Sequence, residues 1–259
     1  PHAPYSVTAE ALQAYMRLAE ELDTTWQIHL SETEEERQNA IKEFGCSPVE
    51  YLAKLGCLNE RTIAVHCVAL SDRDIELLAE SGASVVHCPV SNMRLGCGAS
   101  PVVKLLKAGI NVALGTDGAA SACSLSMFEQ MRTAGLIAKG FSQDPTELTV
   151  NQIIRMATIN GANALKLHCD AGSLAVGKLA DLAVIDMSQL VTMPVLDVLS
   201  NVIYAVEAQC VHQVWVSGSL VANIQQEKLL RPDRGKLLTK SNIMSWQNRV
   251  CEILRDDFN

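Results

Sequence analysis

Between residues 8 and 140 apolar runs alternate with capped amphipathic segments, the pattern of strand–loop–helix units that build a parallel sheet. A helix is expected over 9–22, with Leu12, Met16 and Ala19 on one face, followed by a strand over 25–30 that ends in polar Ser31, Glu32 and Thr33. Thr33 with Glu36, and Ser47-Pro48-Val49-Glu50, read as helix starts; these two helices end near Gly45 and Gly56. A β-branched strand over 62–66 leads to a helix opened by Ser71 and Asp74, carrying Ile75, Leu78 and Ala79 inward and stopped by Gly82. The unit repeats: a strand over 83–87, a helix opened by Ser100-Pro101 and closed at Gly109, and a strand over 110–117. A helix through Met127, Phe128 and Met131 follows, then one capped at Thr149 and running to about Leu167.

From Gly172 the texture changes. Strands are expected over 179–186 and 211–216, the second turning at Ser217-Gly218 into Leu220-Val221-Ala222. The stretch 231–259 reads as a terminal helix with Ile243, Trp246, Val250 and Leu254 as its buried stripe. The predicted fold class is therefore α/β: a TIM-like (β/α)8 barrel, here its C-terminal half, plus part of a small β-sandwich domain. Residues 1–168 are assigned to the barrel half, 169–225 to the β domain and 226–259 to a helical tail. A complete barrel takes roughly 250 residues, and a half barrel leaves two strand edges open. The missing strands are expected upstream, in keeping with a motif-like Pro1-His2-Ala3-Pro4-Tyr5 at the very start.

Composition narrows the partners. A net charge of −8 without a basic run argues against nucleic acid and anionic membranes, and leaves small molecules. No apolar stretch approaches the roughly 20 residues of a membrane span, and no signal-peptide pattern is present, so a cytoplasmic location is expected. Nine cysteines without a CxxC pair read as free thiols of a reducing compartment. The H-x-E and P-C-x-x-C signature of cytidine-type zinc deaminases is absent. Self-association as a homo-oligomer is left open.

Each of the four predicted strands ends in a residue that binds metal or moves protons: His29, His66, His87 and Asp117. In parallel α/β folds the active site lies at these carboxyl ends. Imidazoles with a carboxylate are the donor set of zinc or iron, so one divalent metal is expected, Zn2+ first and Fe2+ as the alternative. His29 and Glu32 form an H-x-x-E. A catalytic zinc needs three protein ligands, and no H-x-H exists in the chain. Either His66 or His87 completes the set, or upstream strands do; the half-barrel reasoning favours the second. His87 either orients its loop or touches substrate. Ser91-Asn92 either contact substrate or cap a turn. His168 and His212 read as structural, and Cys97 and Cys123 as ordinary packing residues.

Together, Pro1-His2-Ala3-Pro4-Tyr5, His29-Leu30-Ser31-Glu32-Thr33, Val65-His66-Cys67, His87-Cys88-Pro89-Val90-Ser91-Asn92 and Leu114-Gly115-Thr116-Asp117-Gly118-Ala119-Ala120-Ser121 resemble the amidohydrolase superfamily. The match is nearest its 5-methylthioadenosine/S-adenosylhomocysteine deaminase group, with triazine chlorohydrolases close behind, and reaches about residue 225. The resemblance implies a metal held by an upstream H-x-H, by His29 and by Asp117. It implies that Glu32 contacts and protonates the substrate ring, that His66 assists proton transfer and orients water, and that His2 binds the purine. Ser121 is expected to touch substrate, although Ala122-Cys123 departs from the polar residues of many relatives. The implied reaction converts an adenosine-type ring to an inosine-type ring with release of ammonia. Two rivals stand beside it: another ring for the same chemistry (triazine chlorohydrolase, guanine or cytosine deaminase), or a truncated, inactive binding protein.

Overall fold

A computed structural model describes residues 1–223 and 228–229. The expected terminal helix, with Ile243, Trp246, Val250 and Leu254, lies outside the described residues. The chain forms two compact units, one of Pro1–Ser173 with Asp197–Tyr204, the other of Leu174–Leu196 with the described residues from Ala205.

In the first unit α1 (Ala9–Glu21) precedes β1 (Trp26–Leu30), α2 (Glu34–Phe44) and α3 (Pro48–Lys54) precede β2 (Thr62–His66), and α4 (Asp72–Ser81) leads to β3 (Ser84–His87). Then come α5 (Pro89–Arg94), α6 (Val102–Lys107), β4 (Val112–Leu114), α7 (Ala119–Ala122), α8 (Met127–Ser142), α9 (Val150–Ala157) and α10 (Ile159–Ala164). The four strands pair in the order β1-β2-β3-β4, all parallel, with His29 opposite Val65 and Val86 opposite Ala113. This is the sequential parallel arrangement of one half of a (β/α)8 barrel. All five positions of β2 are buried, as expected of a strand covered on both faces. Leu12, Ile28, Leu52, Leu78, Leu105, Ile153 and Met156 belong to one hydrophobic core.

Capping explains where the helices start. The side chains of Thr8, Thr33, Ser47, Ser71 and Thr149 each accept a backbone N–H of the first turn, worth about 1 kcal/mol apiece. Asp74 does more than cap α4. Its buried carboxylate also accepts the Ser47 hydroxyl, joining the starts of α3 and α4.

Two expectations are corrected, and one helix is added. The helix expected to run from Thr149 to about Leu167 breaks at Thr158 (φ −131°, ψ −96°) into α9 and α10. The break lets Asn160 reach β4, its Nδ2 donating to Val112 O at 2.8 Å while Asn111 Nδ2 donates to Asn160 O at 3.0 Å. The last parallel strand stops at Leu114, so Asp117 stands in the loop beyond it. Proline-started α5 was not marked by any apolar period.

The second unit holds β5 (Leu182–Ile185), β6 (Val211–Val216), β7 (Ser219–Asn223) and β8 (Lys228–Leu229) in one antiparallel sheet; α11 (Val198–Tyr204) belongs to the first unit. The β6–β7 hairpin turns on Ser217 (φ +49°) and Gly218 (φ +75°), the double positive φ of a two-residue turn suited to twisted strands. No helix among the described residues is long and apolar enough to cross a membrane.

Candidate metal centre

The carboxyl ends of the parallel strands leave the sheet in an unusual way. Ser31 (φ +51°), His66 (+75°), Cys67 (+49°) and Asp117 (+60°) occupy the left-handed region without being glycine. Such backbone costs of order 1–3 kcal/mol per residue and persists only where its surroundings over-determine it. Here they do. The Ser31 carbonyl accepts the N–H groups of Val68 and Ala69, both at 2.9 Å. The Glu36 carboxylate reaches back past its own helix cap to accept the N–H of Ser31 (3.0 Å) and of Glu32 (2.6 Å). Ser100 Oγ holds the Cys67 carbonyl at 2.8 Å.

These bends bring His29, His66 and Asp117 together, one ligand atom from each lying within 4.8 Å of the others. The two imidazoles stack with centroids 5.3 Å apart. His29 Nδ1 lies 2.8 Å from the His2 carbonyl. A carbonyl only accepts, so Nδ1 carries the proton and the Nε2 lone pair is free for a cation. His66 Nδ1 meets Asn92 Oδ1 at 2.8 Å in the same sense. On Asp117, Oδ2 accepts from Ser91 Oγ (2.6 Å) and Oδ1 from the Gly118 N–H (2.7 Å). Burial pushes this carboxyl up, but the hydrogen bonds from Ser91, the Gly118 N–H and Ser121 outweigh it and hold it below the usual carboxylate range. Two neutral nitrogen donors and an anionic oxygen fit a zinc- or iron-type ion.

Glu32 stands beside this cluster, Oε1 3.8 Å from His66 Nε2 and accepting the Cys97 thiol at 3.5 Å. Burial and the Glu32 charge push Cys97 up to about 11, so it remains a protonated donor. The His2 ring is 5.0 Å from that of His29, its Nδ1 3.1 Å from Ser6 Oγ. Ser121 sits on α7, where Arg94 Nη1 donates to the carbonyls of Ala120 (2.8 Å) and Ser121 (2.6 Å). All the expected site residues thus lie on one end of the sheet. A cavity of about 550 Å3 opens next to Glu32, with Pro4, Tyr5, Glu36, Ala40 and Phe44 in its wall, a size suited to a small molecule.

His87 stays outside the ligand cluster. It is buried, and burial lowers its pKa to about 3, so it is neutral. Sequence reasoning saw Glu36 only as a helix cap and left Ser91-Asn92 undecided; the hydrogen bonds of all three lead into the site. Only the Thr33–Glu36 spacing hinted at the first.

The amidohydrolase family profile matches residues 1–221. A 5-methylthioadenosine/S-adenosylhomocysteine deaminase of Teredinibacter turnerae is 45% identical over 250 residues, 96% of this chain and 56% of that protein. A 5'-deoxyadenosine deaminase of Methanothermobacter thermautotrophicus is 43% identical over 221 residues, 85% of this chain and 51% of its own. The crystal structure of a Xanthomonas campestris adenosine deaminase with bound zinc superimposes with a TM-score of 0.89 at 39% identity, covering 97% of this chain and 56% of that one. The chain spans about half the length of the curated relatives it matches. With the family profile covering most of its length and the strand-end cluster in place, the chain belongs to the metal-dependent amidohydrolase family.

Proposed function

We propose that this chain carries the proton-transfer half of a hydrolytic deaminase that converts the adenine ring of 5-methylthioadenosine or S-adenosylhomocysteine to the inosine-type ring and ammonia. The observation that carries the reading is the His29–His66–Asp117 cluster with Glu32 Oε1 3.8 Å from His66 Nε2. His29 and Asp117 hold a divalent ion, zinc by its donor set and by the zinc in the Xanthomonas relative. Such an ion, when bound, acidifies water toward pKa ~7 and so supplies the nucleophile at neutral pH.

The protein's groups do the rest. Asp117 accepts one proton of the attacking water while His66 orients that water toward the amino-bearing carbon. Glu32, as the acid, protonates the adjacent ring nitrogen as the C–O bond forms. The proton held by Asp117 passes to the amino group, the C–N bond breaks, ammonia leaves, and the hydroxyl proton returns to Glu32. Both carboxyl groups regain their starting state. His2 stacks near the ring and Ser121 lines it from α7. The described cysteines are all free, which suits the reducing cytoplasm.

The test is ammonia release by the full-length, zinc-loaded protein from 5-methylthioadenosine, S-adenosylhomocysteine, 5'-deoxyadenosine, guanine and a chlorotriazine. Turnover of the thioether nucleosides, lost on chelation and regained with zinc, is expected. Ammonia from guanine alone, or release of chloride without ammonia, would overturn the substrate assignment.

A further inference from the structure

The hydrogen bonds of α5 converge on the site from one short element. It follows β3, which lies between β2 and β4 in the sheet, so its first turns stand over the gap between the ends carrying His66 and Asp117. Successive helical side chains diverge by about 100°. Ser91 and Asn92 are therefore able to reach opposite flanking strands, and they do: Ser91 Oγ donates to Asp117 Oδ2 at 2.6 Å, and Asn92 Oδ1 meets His66 Nδ1 at 2.8 Å. Both residues are fully buried. Asn92 Nδ2 has no hydrogen-bond partner among the described residues, a cost that packing alone does not repay. The backbone of the same residue accepts the Cys97 N–H at 2.8 Å, fixing the thiol that meets Glu32.

Resting on the deaminase reading, we propose that Ser91 and Asn92 are a paired positioning device: one helix turn locks the Asp117 carboxylate and the His66 ring in register with each other. Asn92 holds His66 with its proton on Nδ1, so that Nε2 offers its lone pair toward Glu32 and the attacking water. Ser91 occupies Oδ2 of Asp117 from the helix side, so that the carboxylate cannot rotate away. Neither residue touches the substrate.

The experiment uses the full-length, zinc-loaded protein with Asn92→Leu, Asn92→Asp, Ser91→Ala and Ser91→Thr. Asn92→Leu and Ser91→Ala are each expected to lower kcat by on the order of 10- to 100-fold, as losses of outer-shell partners do, with KM and zinc content little changed. Asn92→Asp and Ser91→Thr, which keep the acceptor and the hydroxyl, should recover most of it. Nitrogen-15 spectra of the His66 ring should show the Nδ1–H tautomer in the unaltered protein and a mixture in Asn92→Leu. Normal kcat in both truncated variants, or an unchanged His66 tautomer in Asn92→Leu, would overturn the proposal. So would loss of zinc and fold together without rescue by Asp or Thr. If the unaltered protein releases no ammonia while the tautomer shifts as expected, the deaminase reading fails and the positioning device stands.

Discussion

The two ends of the parallel sheet are built on opposite principles. At the amino ends the chain enters the strands through relaxed turns: Gly82 (φ +72°) and Gly109 (φ +81°) take the left-handed positions before β3 and β4 at no steric cost, with Asp23 (φ +47°) before β1 the non-glycine exception. Side chains there close local hydrogen bonds. Thr62 Oγ1 donates to Cys57 O and accepts from Asn59 N, and Asn111 Nδ2 ties Ser84 Oγ to the Asn160 carbonyl. At the carboxyl ends the left-handed positions fall on Ser31, His66, Cys67 and Asp117. Ser31 Oγ, His87 Nδ1 and Asn92 Nδ2 are buried there without hydrogen-bond partners among the described residues, against Trp26 Nε1 at the other end. One end is arranged for stability; the other holds strained backbone and unspent hydrogen-bonding capacity around the His29–His66–Asp117 cluster.

That contrast can be broken or sharpened from either end. Replacing Asp117 with Asn in the full-length protein removes the carboxylate proposed as both ligand and base, and ammonia release is expected to fall below detection even where some zinc is retained; near-normal turnover would end the assignment. Glu32→Gln should keep its metal by elemental analysis and lose turnover by a factor of about 10² to 10⁴. A Glu32→Gln variant that loses the ion instead would make Glu32 a ligand. The amino end should behave in the reverse way. Asn111→Ala strands a carbonyl and a hydroxyl and is expected to cost about 1–3 kcal/mol in chemical unfolding while leaving kcat unchanged. A fall in kcat with stability intact would dissolve the contrast.

The smallest effect at neutral pH belongs to His87. Its folded pKa is about 3 against an ordinary 6.5, chiefly through burial, so between those values the unfolded chain holds more protons at this position. Stability therefore falls as pH drops from about 6.5 toward 3, by up to about 1.4 kcal/mol per pH unit, and the contribution vanishes above that window. His87→Gln should flatten this part of a stability-against-pH curve relative to the unaltered protein; an identical slope would mean that the ring is not held neutral.

Much of this was legible in the residues. The alternation of β-branched runs with capped amphipathic segments marked β1 to β4 and their helices, because strand and helix periods differ and each cap is a local hydrogen bond. His29, His66 and Asp117 stood out because they close or follow those strands. The break at Thr158 was hidden, since α9 and α10 are both helical and only the reach of Asn160 to β4 separates them. The left-handed backbone at Ser31 was hidden too, because serine does not favour it and the hydrogen bonds that impose it come from Glu36, Val68 and Ala69.

The sequence by itself determined the order of elements, the α/β class and the chemistry available at the strand ends, since these follow from local periodicity, caps and residue type. Only the tertiary structure decided which of those groups meet. Parallel register set His29 opposite Val65, the left-handed backbone at His66 laid its ring against that of His29, and the position of β3 between its neighbours let Ser91 and Asn92 reach two different strands. Distances across a sheet depend on pairing between segments some 20 to 40 residues apart, and no local pattern carries that information.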